Sequence, residues 1–196
     1  MGDNTNDRRR QKTEKAIRNA LVQLMENKEL RKITVQEVSD LADINRATFY
    51  KHYLDVYDLY EKVEQEILVE IGILVLRLQE LPPNKFFKEL TAYFDKNRTV
   101  SRLLFSPNGE NSLRIKFDRC MEGLFRQMGA EKLGVDRDNL SLCYYSCYRS
   151  QGCIAVLEKW VNGGFTVPKE LIMKTLSELD ANTECFAPSK MKEEYR

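Results

Sequence analysis

From Asn45 to Tyr53 the sequence N-R-A-T-F-Y-K-H-Y offers a guanidinium, an ammonium, an imidazole and several hydroxyls, and no carboxylate. Side chains of this kind donate hydrogen bonds and positive charge, which suits a polyanion whose phosphates and base edges accept them. On a helix, Phe49 and Tyr53 fall one turn apart on a buried side. Ala47, Thr48, Lys51 and His52 then lie opposite, with Arg46 and Tyr50 at the edge. A bland amphipathic helix carries Glu and Lys on such a face. Here the small Ala47 and the methyl group of Thr48 let the helix sit deep in a groove, so the pattern points to the major groove of duplex DNA.

Catalysis finds little to build on. The chain has one histidine, which the row above already uses, and no Gly-rich phosphate loop, H-E-x-x-H pair or nucleophile elbow. The reading is therefore not an enzyme, with no cofactor and no metal site. Five cysteines in 196 residues make a disulfide framework a poor expectation. Cys143 and Cys147 sit four apart on an expected helix with Cys153 beyond; they read as small packing residues, in preference to a thiol sensor or a metal site, for which one histidine and no C-x-x-C pair offer little. The longest apolar run, Ile71 to Leu76, is far short of a membrane span, and the N-terminus is polar. A cytoplasmic protein is expected.

The net charge of +1 conceals an uneven distribution. Arg8 to Arg18 holds six bases against the single acid Glu14, whereas Asp55 to Glu70 holds six acids against the single base Lys62. A near-neutral protein can still bind a polyanion when its positive charge is gathered at one end.

The elements that must position the row are helical. Ile17, Ala20, Leu21, Leu24 and Met25 form the stripe of a first helix, from about Thr13 to Asn27. Thr34 with Glu37 (T-V-Q-E) is a capping box for a second helix. Asp43 takes the turn, where a left-handed backbone is often needed. Asn45 caps a third helix over 46–53. A long fourth helix starts after Asp55 and runs to about Leu81, where Pro82-Pro83 stops it. The remainder is also periodic in the helical sense, and no strand alternation appears. The expectation is an all-α protein of about nine helices: a disordered basic arm at 1–11, a helix-turn-helix domain at 12–55, a helical regulatory and dimerisation domain at 56–184, and a flexible tail at 185–196.

Residues 13–68 resemble the N-terminal DNA-binding domain of the TetR family of transcriptional regulators. The resemblance rests on the basic first helix, I-T-V-Q-E-V-S-D-L-A, then N-R-A-T-F-Y-K-H-Y, then D-V-Y-D-L, in that order. It implies a homodimer that places its third helices in successive major grooves of a near-palindromic operator, acting as a repressor released by a small-molecule effector. By position, Gln36, Arg46, Ala47, Thr48, Tyr50, Lys51 and His52 fall where relatives touch bases or phosphates, and Thr34 where a phosphate is held. Asp43 replaces the family's usual Gly. Val56 stands where relatives often carry a phosphate-binding Lys, so Arg8, Arg9 and Arg10 become candidate DNA contacts in compensation.

The same resemblance places an effector pocket in the C-terminal domain, for which Phe94, Phe105, Phe117, Met121, Phe125, Tyr144 and Tyr148 are candidates. It makes the last two helices a dimer interface, with Leu140, Cys147, Ile154, Leu157, Val161, Ile172, Leu176 and Leu179 as candidates. Two alternatives stay open: a co-activator or adaptor on the same fold acting through a protein partner, and a thiol- or redox-responsive regulator.

Overall fold

In the computed structural model, residues 3–106 and 112–186 are described. Among them are nine α-helices, one short 3-10 turn at Leu30–Lys32, and no strand. The helices are α1 Asp3–Met25, α2 Val35–Leu41, α3 Arg46–Tyr50, α4 Val56–Gln79, α5 Pro83–Lys96, α6 Arg98–Leu104, α7 Ser112–Leu133, α8 Leu140–Asn162 and α9 Lys169–Phe186. No helix among the described residues is long and apolar enough to cross a membrane.

The chain divides into two compact units. The first is Met1–Leu68 with Thr99–Leu113, the second Val69–Arg98 with Arg114–Arg196. The division falls inside α4, not at its start where the sequence reading put it, and α6 joins the N-terminal helices. In the first unit, Arg102 on α6 pairs with Glu26 at 2.7 Å and the Ser106 hydroxyl donates to the Met25 carbonyl. Sequence separation hides such contacts from any local pattern.

Residues 3–11 are helical, which corrects the expected disordered arm. Spacing of four residues supplies the reason: Gln11 donates to Asp7, Thr13 to the Arg9 carbonyl and Arg10 to Glu14, so a polar segment extends the helix through its own side-chain pairs. Residues 185 and 186, expected in a flexible tail over 185–196, belong to α9; the rest of that expectation, 187–196, lies outside the described residues.

The caps follow the sequence closely. Thr34 accepts from the Glu37 amide while Glu37 accepts from the Thr34 amide, a complete capping box. Asp43 adopts φ 54°, the left-handed turn that its type tolerates better than most. The Asn45 side chain accepts from the Thr48 amide, and Asp55 accepts from the Asp58 amide at 2.8 Å. In the second unit α8 ends at Gly163, with Gly164 and Phe165 both at positive φ. Phe165 is held there by packing edge-on against Trp160 at 4.9 Å, beneath the Arg98 guanidinium. The Trp160 indole N–H donates to the Val167 carbonyl.

Candidate nucleic-acid interface

Two buried rings hold α3 in place. Phe49 has no exposed surface and Tyr53 is 5% exposed; their centroids stand 5.7 Å apart. Burying rings of this size contributes on the order of 2 kcal/mol or more each, ample to fix a five-residue helix that could not persist alone. Arg18 on α1 hydrogen-bonds the Tyr53 hydroxyl and pairs with Glu66 on α4. Thus the turn that follows α3 is tied through Tyr53 to Arg18 of α1, and to α4 by the Lys62 ammonium over the Tyr53 ring at 5.1 Å.

With those anchors inward, Arg46, Ala47, Tyr50 and Lys51 face solvent, and Tyr50 is 51% exposed. The Arg46 guanidinium reaches the Tyr50 hydroxyl at 3.5 Å. The regular helix ends at Tyr50, with Lys51 as its C-cap, so the expected span of 46–53 is trimmed to its first turn and a half. Thr48 is half-buried, and its hydroxyl donates to the Asn45 side chain at 2.9 Å. Gln36 is exposed on α2 and donates to Asp40 at 2.6 Å. Arg8, Arg9 and Arg10 are exposed on α1.

Two candidates are placed otherwise than expected. His52 is not on the open face. Its side chain is 10% exposed and its Nδ1 lies 3.2 Å from Glu14 Oε1, because the turn after Tyr50 swings it toward α1. Thr34 is exposed, but its hydroxyl and amide both donate to Glu37 Oε2, at 2.9 and 3.0 Å. A phosphate at this position competes with Glu37 for the same two hydrogens.

Sequence reasoning passed over Glu14 and Lys28. Glu14 stands out as the lone acid in the basic run, but its partner 38 residues away is not legible locally. Burial works to raise the Glu14 pKa, yet hydrogen bonds from Arg10 and His52 outweigh it and the group is lowered. Lys28 reaches Glu37 at 2.6 Å. That contact first, then the Thr34 hydroxyl and amide, hold the Glu37 carboxyl down to about 2. A depressed carboxylate stabilises the fold above its unfolded pKa and loses that contribution as pH falls toward its folded value. Accordingly, the stability advantage of the wild type over Glu37→Gln is expected to be full at pH 6 and to vanish between about pH 4.5 and 2, as read by chemical unfolding across that range. An advantage that persists undiminished at the acid end refutes this role for the carboxylate.

The effector candidates in the second unit prove largely to be packed core. Phe94 and Phe117 meet at 5.9 Å, Phe86 and Phe125 at 5.6 Å, and Met121 has no exposed surface. Phe105 belongs to the first unit and is buried. Tyr144 is exposed. Tyr148, also exposed, borders a groove of about 350 Å³ formed by Phe87 of α5, the Cys147–Cys153 stretch of α8, and Leu176, Leu179, Asp180 and Thr183 of α9. On its floor the Arg149 guanidinium, 4% exposed, makes a two-pronged bond to Asp180 at 2.8 and 2.7 Å.

The dimer candidates divide. Ile154, Leu157, Val161 and Leu176 are buried within the chain itself and cannot line a surface, a correction of the proposed arc by roughly a quarter turn of α8. Leu140, Cys147 and Leu179 are exposed and Ile172 half-buried. The outward strip of α8 is Leu140, Tyr144, Cys147, Tyr148, Gln151 and Ala155. Between Leu140 and Leu157 the one charged residue is Arg149, which is buried.

An all-helical chain with a capped helix-turn-helix in its first unit and a long-helix second unit defines a helix-turn-helix protein with an appended helical domain. A family model described as the transcriptional regulator C-terminal region, of the TetR type, matches residues 83–180, half of the chain. The chain belongs to the TetR family of transcriptional regulators. No curated protein matches. Among solved structures, the TetR transcriptional regulator from Streptococcus agalactiae 2603V is similar, at 22% identity and TM-score 0.61 over 89% of this chain and 97% of that one. The regulator FadR from Bacillus subtilis, solved with stearoyl-CoA, is similar at 12% identity and TM-score 0.57, over 84% and 95%. The dihydroxyacetone kinase operon activator DhaS is similar at 18% identity and TM-score 0.55, over 89% and 97%. At these identities the likeness is one of fold.

Proposed function

We propose that the protein is a homodimeric repressor that binds a near-palindromic DNA operator through α3 and is released by a small-molecule effector, acting in the cytoplasm. The observation that carries this reading is the acid-free, solvent-facing set Arg46, Ala47, Tyr50 and Lys51 on a helix clamped by Phe49 and Tyr53. A short helix so held presents its side chains in a fixed pose, which is what readout of base edges requires.

The uncharged outward strip of α8 supports the dimer. In a chain with 31% charged residues, four helical turns without an exposed charge are suited to burial against a second copy. The groove beside it supports the effector. Its lining is mainly apolar and its charged pair is internally neutralised, so it suits a predominantly apolar, uncharged ligand. FadR, in whose structure stearoyl-CoA is bound, is a relative by fold whose ligand carries a long apolar acyl chain. Because Cys147, Tyr148 and Leu179 belong to both the groove and the outward face, effector and partner subunit meet on shared residues. That is a route for one to bias the other.

The test begins with operator duplexes selected from a random-sequence pool by the full chain. Tyr50→Ala and Lys51→Ala are each expected to weaken binding about 5- to 100-fold, and Lys51→Ala to reduce the salt slope by roughly one, with thermal unfolding unchanged. Undiminished affinity in both variants sinks the assignment of α3 as the reading helix.

One observation favours a second reading, an adaptor or co-activator that works through a protein partner. Val69, Ile73 and Leu76 form an apolar stripe along α4 and are 64%, 55% and 65% exposed. DhaS, similar in fold, is itself described as an operon activator. A gel shift with the purified chain alone separates the two, since an adaptor selects no duplex without its partner.

A further inference from the structure

The groove bounded by α5, α8 and α9 measures about 350 Å³, at the small end of the roughly 300–1,000 Å³ of ligand sites. Phe87 and Tyr148 give it aromatic walls, Leu176 and Leu179 aliphatic ones. Its selectivity lies in the polar atoms that interrupt this lining. An ionised carboxylate accepts about four hydrogen bonds, and Asp180 accepts two, both from Arg149, at 2.8 and 2.7 Å. The Asp180 side chain is 17% exposed and lines the groove, so its remaining acceptor positions are open to a molecule seated there. Nearby on α9, the Thr183 hydroxyl gives its hydrogen to the Leu179 carbonyl at 2.8 Å and has lone pairs left to offer. The Cys153 thiol, in the same lining, is pushed up first by burial and then by the Asp180 carboxylate. It keeps its proton and adds no charge.

Acceptors of this kind sort ligands by what they donate. A carboxylate brings a second anion against Asp180 and no hydrogen. An ether or a ketone brings no hydrogen either, and strips water from the carboxylate without replacing it. An ammonium brings hydrogens, but Arg149 already neutralises the site, so little attraction offsets the loss of its hydration. A hydroxyl costs far less to dehydrate and gives Asp180 a charge-assisted bond.

A second feature concerns space. Gly152, in the middle of α8, borders the same groove. Glycine is a poor helix former, and a β-carbon at this position would meet no atom within 4 Å. Packing within the chain therefore does not require glycine here; its bare backbone widens the groove.

We propose that the groove takes a small apolar molecule bearing a neutral hydroxyl, an alcohol or phenol, which donates to Asp180 while its body lies against Phe87, Tyr148 and the bare backbone of Gly152. The proposal rests on the reading of this groove as the effector site.

Four probes of one shape are titrated calorimetrically into the full chain: naphthol, its methyl ether, naphthoate and naphthylmethylamine, all substituted at the same ring carbon. Naphthol is expected to bind about tenfold more tightly than each of the others, or better. In Arg149→Met with Asp180→Leu, which removes both charges and keeps volume, the preference for naphthol over its ether is expected to shrink to about one. Gly152→Leu places a branched side chain in the groove and favours the helix. It is expected to weaken naphthol binding about tenfold or more with no loss of thermal stability. Equal binding of naphthol and ether, tighter binding of the acid or the amine, a preference that survives the double change, or naphthol affinity untouched by Gly152→Leu overturns the proposal. Operator affinity is measured separately with each probe present. Naphthol that binds as expected yet leaves operator affinity unchanged sinks the effector reading and supports the ligand class. Equal operator release by naphthol and ether overturns the ligand class and supports the effector reading. Binding of none of the four overturns both.

Discussion

Asp180→Ala is expected to destabilise the second unit by about 3–5 kcal/mol. Arg149 is 4% exposed and bonded by both prongs to Asp180, which is itself only 17% exposed. Its guanidinium also stands over the Phe125 ring at 4.7 Å and the Tyr145 ring at 5.3 Å. Removing the carboxylate leaves a cation that cannot lose its proton and is 4% exposed, without its two-pronged partner. That cost is far larger than the net worth of the intact pair. The double change Arg149→Met with Asp180→Leu, which removes both charges and keeps volume, is expected to recover most of the loss. The chain's single tryptophan, Trp160, is buried in the same unit, so its fluorescence during urea unfolding reads the effect. Equal stability of Asp180→Ala and the wild type would show the pair to be idle.

The second large effect belongs to Phe49→Ala. This ring has no exposed surface and is one of two that fasten α3, so its deletion leaves a void that a helix of five residues cannot close. Aromatic truncations of this kind cost about 3–5 kcal/mol, a large part of the roughly 5–15 kcal/mol by which folded domains exceed their unfolded chains. The first unit is expected to lose DNA binding and helical signal at lower temperature. The imidazole NMR signal of His52, the chain's single histidine, is expected to move to its unfolded position while Trp160 fluorescence stays native. Separate reporters in the two units make this a clean comparison, and a concerted loss of both signals rules out a local origin.

What the sequence disclosed was what is local. The capping box at Thr34, the left-handed Asp43, the Asn45 and Asp55 caps and the inward Phe49 and Tyr53 follow from residue type and spacing within one or two turns, and all are present. The errors have separate physical causes. His52 was assigned to the outer face by helical rotation, yet the helix stops at Tyr50 and the contact that captures the ring lies 38 residues back. The α8 arc of Ile154, Leu157 and Val161 has the right period but faces its own core, since periodicity identifies an apolar side without saying what covers it. The helical turns of α1 before Thr13 were missed because their polar residues pair with one another instead of packing a core. Pocket residues were the least legible, for cores and cavities draw on the same aromatics.

The proposed pairing of two copies through the uncharged outward strip of α8 carries a consequence for gene dosage. A repressor assembled from two copies through such a face titrates its operator with the square of monomer concentration while monomers predominate. Halving the number of protein molecules per cell would then cut occupancy about fourfold in the dilute limit. Small fluctuations in synthesis would be converted into sharp switching of the controlled promoter, before any effector enters.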